Sequence, residues 1–419
     1  MSIVRPFRCV KYNTEQVLLK NVITPPYDVI SAEMRERFVA KSPYNVALID
    51  LPAGGDDKYQ TAGNLYRQWK EDKILVKDGQ QSFYLYEQVY EYGGKQYVRS
   101  GFVGLLKLSE FGKGSVFPHE KTLSGPKVDR YELMKASKAN FSQIFGLYQD
   151  DENRLYAIFN DVKKTMPASS AVDEDGVKHS VWAIDDEEDI SQIESFMRDK
   201  SIYIADGHHR YETALEYRNY MRSKEGVTEG EERSYDYVMM MFVNFMDDGL
   251  KVFPTHRVID VADDFDDKAF CDYASAYFEM ETLDGREAAI NFLKEYSKEP
   301  GSWVFQGKSS LYGMRILAEA KEKQRPVYRK VSAYLLEDLI LKGYFKYSDE
   351  RLLAKAGIHF IQTWDEIEEY KNKNSAVAFI LNGESMESIR EVSESGLVMP
   401  QKSTYFYLKL ATGLLFNDL

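Results

Sequence analysis

"SIYIADGHHRYETALEYRNYM", residues 201–221, changes its periodicity in the middle. Ser201 to Ala205 form a short apolar run suited to a buried strand, and from Tyr211 onward the spacing is helical. Between them stand Asp206, Gly207, His208, His209 and Arg210: a carboxylate, a glycine, two imidazoles and a guanidinium. Gly207 permits a tight turn with positive φ. The first turn of the following helix offers free N–H groups and the positive end of a dipole, so the joint suits an anion, phosphate above all. Arg210 adds a bidentate fork for phosphate oxygens. His208 and His209 add two donors, or one base and one donor. Asp206 can orient a histidine or hold a magnesium ion. The plain alternative is a strand–turn–helix joint whose polar residues are merely solvated. A metal tract is disfavoured, because adjacent helical histidines point about 100° apart and no His-Glu-x-x-His or cysteine pair accompanies them.

Around this joint the chain alternates strands and helices. "SAEMRERFVAKS", with Ser31 as N-cap, and "YQTAGNLYRQWKEDKIL", with Ala62, Leu65, Trp69 and Ile74 on one face, predict helices. "SFYLYEQVYEYGGKQYVRSGFVGLLKL" predicts two long strands about the turn Tyr92-Gly93-Gly94-Lys95. "DDEEDISQIESFMRD" predicts a capped helix. "YDYVMMMFVNF" and "LKVFPTHRVID" predict two strands joined by the turn Asp247-Asp248-Gly249. After Asp260 helical spacing dominates, with short strands "SWVFQG" and "AVAFIL" between the helices.

The bulk numbers bound the function. At 419 residues, two or three domains are expected. Aromatic residues reach 14%, which suits half-buried sheets. The net charge of −13 disfavours binding to a nucleic-acid backbone but leaves room for a local basic pocket. Cys9 and Cys271 lie far apart and form no metal spacing, so a reducing, cytoplasmic setting is expected. The first residues lack the apolar run of a signal peptide, and no stretch reaches about 18 apolar residues, so no membrane partner is expected.

Four more stretches hold candidate chemistry. In "VITPPYDVISAEM" the prolines stiffen a loop that carries Asp28, a carboxylate able to take a proton or bind magnesium, or simply a turn residue. "VFPHEKTLSGPKVDRYELMKASKANFSQIF" places His119, Glu120, Lys121 and Thr122 in a polar loop, with Arg130 just beyond. "MPQKSTYFYLKLATGLLF" carries Lys402, Ser403 and Thr404 at the head of a predicted strand; the glycines of a phosphate-binding Walker loop are missing. "FPTHRVI" places His256 and Arg257 in a strand.

With "RPFRCVKYN", "VITPPYDVIS", "SPYNVALIDLP", "FPHEKTLSGPKVDR", "IADGHHRYETAL", "FPTHRVI" and "MPQKSTYFYLKL", the chain resembles, end to end, the conserved family catalogued as domain of unknown function 1015. One departure is Leu408, where the family pattern usually has proline. The Asp-Gly-His-His-Arg segment is also similar to the phosphate turn of the ParB/sulfiredoxin superfamily, and within it to the free L-serine kinases. That resemblance implies an early loop carboxylate as catalytic base, matched here by Asp28. Sulfiredoxin chemistry needs a cysteine in the turn, and none is near. Partition-type DNA binding and nuclease action need a basic face, which the charge balance opposes.

The fold expected is α+β (mixed α/β): a ParB/sulfiredoxin-like nucleotide-binding core with a β-hairpin-rich N-terminal part, and a helix-rich C-terminal part. The expected domains are 1–260, with an internal boundary near 150–180, then 261–398, with 399–419 returning to the core. The expected activity is nucleotide-dependent phosphoryl transfer to a small hydroxyl-bearing metabolite, using ATP or ADP and magnesium. Free L-serine, giving O-phospho-L-serine, is the acceptor the resemblance implies. Asp28, Glu120 and Asp206 are the candidate catalytic groups, with Asp206 also the candidate magnesium ligand. Gly207, His208, His209, Arg210, Lys402, Ser403 and Thr404 are assigned to nucleotide phosphates. His119, Lys121, Thr122, Arg130, His256 and Arg257 are assigned to the substrate. The alternative is a non-catalytic nucleotide-binding regulator of the ParB-like class. Homodimerisation is left open.

Overall fold

The computed structural model describes residues 1–120 and 124–419. The chain divides into two compact units. The first holds residues 1–118, the described part of 122–250, and 408–419; the second is built on 251–407 together with His119 and Glu120.

The first unit is organised by one large sheet. Its strands in chain order are β1 (Val4–Arg5), β2 (Phe83–Tyr92), β3 (Lys95–Lys107), β4 (Val116–Phe117), β5 (Ile144–Tyr148), β6 (Ser169–Val172), β7 (Lys178–Ile184), β8 (Ile202–Asp206) and β9 (Tyr237–Asn244). The spatial order is β4-β8-β5-β9-β3-β2-β7-β6, with β1 beside β3. β2 and β3 form the expected hairpin, Tyr92 facing Lys95. Gly93 and Gly94 both take positive φ, at 59° and 73°, the backbone a two-residue hairpin turn requires. β9 is buried along its whole length. It runs antiparallel to β3 and parallel to β5, so the sheet is mixed. Phe83, Phe102, Phe242 and Ile204 belong to one core with Tyr211 and Ala214 of the helix His208–Glu225. Residues 150–180 mark no division, because β6 and β7 extend the same sheet.

The second unit contains a six-stranded sheet whose neighbours are all antiparallel. Its order is Phe278–Leu283, Leu311–Ile316, Ser302–Gln306, Ala376–Leu381, His256–Asp260, Ile358–Ile361. Residues alternate between two cores, as period-2 geometry demands. Ile259, Trp303, Phe305, Val377 and Phe379 pack on one face. Val258, Val304, Ala376, Ala378 and Ile380 pack on the other.

Two sequence expectations shift. The strand from His256 was placed with the strand from Tyr237; instead it pairs with Ile358–Ile361 and Ala376–Leu381, so the unit boundary falls at 250 rather than 260. The alternation in "TYFYLKL" predicts one strand over residues 404–410. Only Tyr405–Tyr407 pairs, with Lys251–Phe253, and the chain passes to the first unit at Leu408. There Asn417–Asp418 pairs with Ala139–Asn140, and Phe416 bridges to Val10.

Candidate functional site

The turn after β8 is the centre of the first unit's chemistry. Gly207 sits at φ 91°, ψ 27°, and the helix begins at once at His208, a turn earlier than the spacing from Tyr211 suggests. A left-handed glycine lets the strand feed the helix without an intervening loop. A Cβ on Gly207 would also meet the Arg210 guanidinium at 3.0 Å, because that side chain folds back over the turn.

Arg210 is held on three sides. Its NH2 donates to Asp206 Oδ2 at 2.7 Å, and its NH1 donates to the Gln143 carbonyl at 2.6 Å and Ser142 Oγ at 3.2 Å. The other Asp206 oxygen accepts from Lys409 Nζ at 2.6 Å. All three charged side chains are largely shielded, at 11–16% exposure. Burial alone would raise the Asp206 pKa, but Lys409 and then Arg210 outweigh it and hold the carboxyl well below the usual range. Arg99, wholly buried, lies close enough to feel Asp206. It donates to the Leu408 carbonyl at 2.6 Å and to Gln88 Oε1, while Gln88 donates to the Lys409 carbonyl. The tail that carries Lys409 is thus anchored from both sides.

A second charged group adjoins the turn. Arg130 NH1 reaches Asp50 Oδ1 at 3.1 Å and the Asp50 carbonyl at 2.6 Å; its Nε and NH2 clasp Asp129 Oδ2 at 2.9 and 2.6 Å. The guanidinium stands over the Tyr27 ring, 3.9 Å from its centroid. Burial pushes the Tyr27 hydroxyl up to about 12, while Arg130 and Arg210 pull it the other way. Asp50 is likewise raised by burial and drawn back by Arg130 and Arg210. The "TPPYD" loop, Asp50, Arg130 and the glycine turn therefore share one locality. Asp28 itself is exposed in the short 3-10 helix Tyr27–Val29, and its charge acts on both Tyr27 and Asp50. Arg130 and Arg210 both line a cavity of about 40 Å³ with Ser142 and Thr213. The buried Thr213 Oγ1 finds no partner among the described residues. That space admits an anionic group, not a whole nucleoside.

The remaining predicted residues lie in the second unit. His119 Nε2 pairs with Thr404 Oγ1 at 2.8 Å, and Glu120 bridges to Met399. Ser403 Oγ donates to the Pro400 carbonyl, and exposed Lys402 adopts φ 55°. His256 accepts at Nδ1 from the Leu381 amide; burial and then Arg257 press its pKa down to about 4. Arg257 is buried in the same strand. Lys121 and Thr122 fall outside the described residues. Asp206 does not fit as a resident magnesium ligand, because both of its oxygens are already held by cations. Among the described residues no cluster of three or more His, Cys, Asp or Glu side chains could hold a metal. Sequence reasoning missed Lys409, Arg99 and Asp50. Lys409 was legible only as one alternating position in a predicted strand, and a lone Asp or Arg carries no local signal.

The fold and this site define a mixed α/β protein with a cation-rich glycine turn at the end of a sheet strand. A family model described as "Protein of unknown function (DUF1015)" matches residues 4–335; the chain belongs to that family. No curated protein matches it. Solved structures similar to it include a free serine kinase in complex with AMP (14% identity, TM-score 0.33, 72% of this chain and 89% of that one). A mutant free serine kinase in complex with ADP matches at 13% identity and TM-score 0.34, with the same coverage. A conserved hypothetical protein from Pyrococcus furiosus matches at 15% and 0.33, over 72% of this chain and 92% of that one. At scores of this size none carries a residue-by-residue argument. Among the described residues no helix is long and apolar enough to cross a membrane.

Proposed function

We propose that the chain is a nucleotide-dependent small-molecule phosphotransferase, with ATP or ADP as donor and free L-serine as acceptor. The observation that carries this reading is the turn at Gly207: a left-handed glycine opens an 18-residue helix directly beside Arg210, Lys409 and Arg130. N–H groups at a helix N-terminus and oriented guanidinium groups are what a phosphate needs. Asp206 is then a positioning residue, holding Arg210 and Lys409 at the turn. His208 and His209, on the first helical turn, add donors to the phosphates. Asp28, exposed and without a hydrogen bond among the described residues, is the base for the acceptor hydroxyl. Phosphoryl transfer needs this positioning and charge more than covalent chemistry. The acceptor rests on the resemblance of the Asp-Gly-His-His-Arg turn to the free L-serine kinases.

The test is incubation with L-serine, a magnesium salt and either ATP or ADP, followed by phosphorus NMR. The expected product is O-phospho-L-serine. No phosphorylated product with either nucleotide, across a panel of hydroxyl acceptors, overturns the reading. Nucleotide binding without turnover, unchanged in Asp28→Ala, would mark a regulator instead.

A further inference from the structure

A cavity of about 260 Å³ lies within the second unit and shares no residue with the turn at Gly207. One wall is the stretch Glu337–Lys342, wound as a π-helix, a distortion that recurs at functional sites. Another is the segment Val398–Gln401. Leu341, Leu352, Ile358 and Met399 make much of the lining apolar.

Arg257 stands in this wall with 3% of its surface exposed. Its guanidinium donates to the carbonyls of Thr255 and Gln401, the latter at 3.3 Å, and faces the Phe360 ring at 5.1 Å. No carboxylate of the described residues forms an ion pair with it. Glu384, Glu337 and Glu120 act on it only from longer range, and burial presses its pKa down to about 10. A buried charge left in that state is unfavourable unless something supplies the opposite charge. Lys342 is paired with Glu337 at 3.3 Å and Asp349 at 2.7 Å, both also in the wall, so the formal charges of the lining balance while the Arg257 guanidinium itself has no carboxylate paired to it among the described residues. Gln401, also in the lining, has a buried Nε2 with no hydrogen-bond partner among the described residues. The rings of Tyr328 and Tyr334, both in the lining, stack at 4.0 Å with an 8° tilt. They offer a flat aromatic surface.

We propose that this cavity is a binding site for a small organic monoanion, a carboxylate on a planar apolar body. Arg257 and the Gln401 amide hold the carboxylate, and the body lies against the Tyr328–Tyr334 pair and the leucine-lined wall. A single carboxylate neutralises the guanidinium and satisfies the orphaned amide at once. A dianionic phosphate would bring two negative charges to one unpaired guanidinium and would face Glu337 and Asp349. A neutral ligand would leave the guanidinium as it is. The inference does not rest on the kinase reading.

Calorimetric titration of the full chain with benzoate and 3-phenylpropionate tests it. Benzyl alcohol serves as the neutral analogue and phenyl phosphate as the dianion. At least one carboxylate is expected to bind, with the alcohol and the phosphate at least about tenfold weaker. Arg257→Gln, Gln401→Leu and Tyr334→Ala should each weaken the carboxylate by about tenfold or more. The proposal is overturned if neither carboxylate binds, or if the alcohol or phosphate binds as tightly. Undiminished affinity in folded Arg257→Gln also overturns it. Should that variant fail to fold, Gln401→Leu and Tyr334→Ala decide: carboxylate affinity unchanged in both overturns the proposal.

Discussion

Asp206 in the first unit and Arg257 in the second are both shielded charges, and the protein treats them in opposite ways. Asp206 has a cation on each oxygen, Arg210 from the helix that follows it and Lys409 from the C-terminal tail. Arg257 has two carbonyls and a ring, with no carboxylate paired to it among the described residues. The first charge is spent inside the fold, where it orients the groups around a turn. The second has no carboxylate paired to it among the described residues and stands beside a cavity. On the proposed reading, the paired carboxylate holds a site together and the unpaired guanidinium receives a ligand. Asp28 is a third case, an exposed carboxylate that the fold leaves available to solvent.

The different treatment of these charges predicts different responses to substitution. Asp28→Ala should lower turnover with L-serine on the order of 10²–10⁴-fold, with nucleotide affinity by calorimetry unchanged. A parallel loss of affinity would mean Asp28 acts on the nucleotide. Asp206→Asn strands two cations and should lose about 3–5 kcal/mol in urea unfolding. The sign in pH follows from the depressed carboxyl. Its contribution is present above the unfolded carboxylate value and lost as pH falls through the lower folded value. The Lys409→Met variant should therefore unfold at a higher pH than the parent in an acid titration. Arg210→Ala should weaken nucleotide binding by about tenfold, and an unchanged affinity would remove phosphate from the turn.

The second unit gives smaller effects. His256 is held down to about 4, so its contribution is present above about 6.5 and lost as pH falls toward 4. Glu384 is pushed up to about 7, first by burial, so its contribution is present below about 4.5 and lost as pH rises toward 7. Between about 4.5 and 6.5 the two slopes oppose each other. Glu384→Gln should uncover a stability that rises with pH there by about 1 kcal/mol per unit. Unfolding followed on the fluorescence of buried Trp303 would show it. Smallest of all, Arg257→Met should change stability by no more than about 1 kcal/mol, against the larger loss at Asp206. An equal loss would mean that Arg257 is scaffolding too.

Much of the local architecture was legible. Ser31 caps its helix by accepting from Met34 N, and Asp186 accepts from Glu188 N and Asp189 N. The glycine pair turns the hairpin in the register that alternation implies. The mixed α/β class followed from such elements. The second unit's sheet was harder to see. Its six strands are only four to six residues long, and one of them, "FEMETL", carries charges at alternate positions. Propensity alone does not separate such segments from helix flanks. The candidate residues were read as one pool, yet the fold sorts them between two units: Asp28, Arg130 and Asp206 to Arg210 in one, His119, Glu120, His256, Arg257 and Lys402 to Thr404 in the other.

The sequence by itself determined the strand–glycine–helix joint at Asp206 to Arg210. That motif is local: a positive-φ glycine and an i,i+4 pair between Asp206 and Arg210 need nothing beyond their own turn. Only the tertiary structure decided that Lys409, 203 residues away, closes the other side of Asp206. It also decided that Arg257 is buried in a cavity wall with no carboxylate paired to it. Charge compensation in a folded chain depends on which side chains packing brings within a few ångströms, and sequence separation does not constrain that distance.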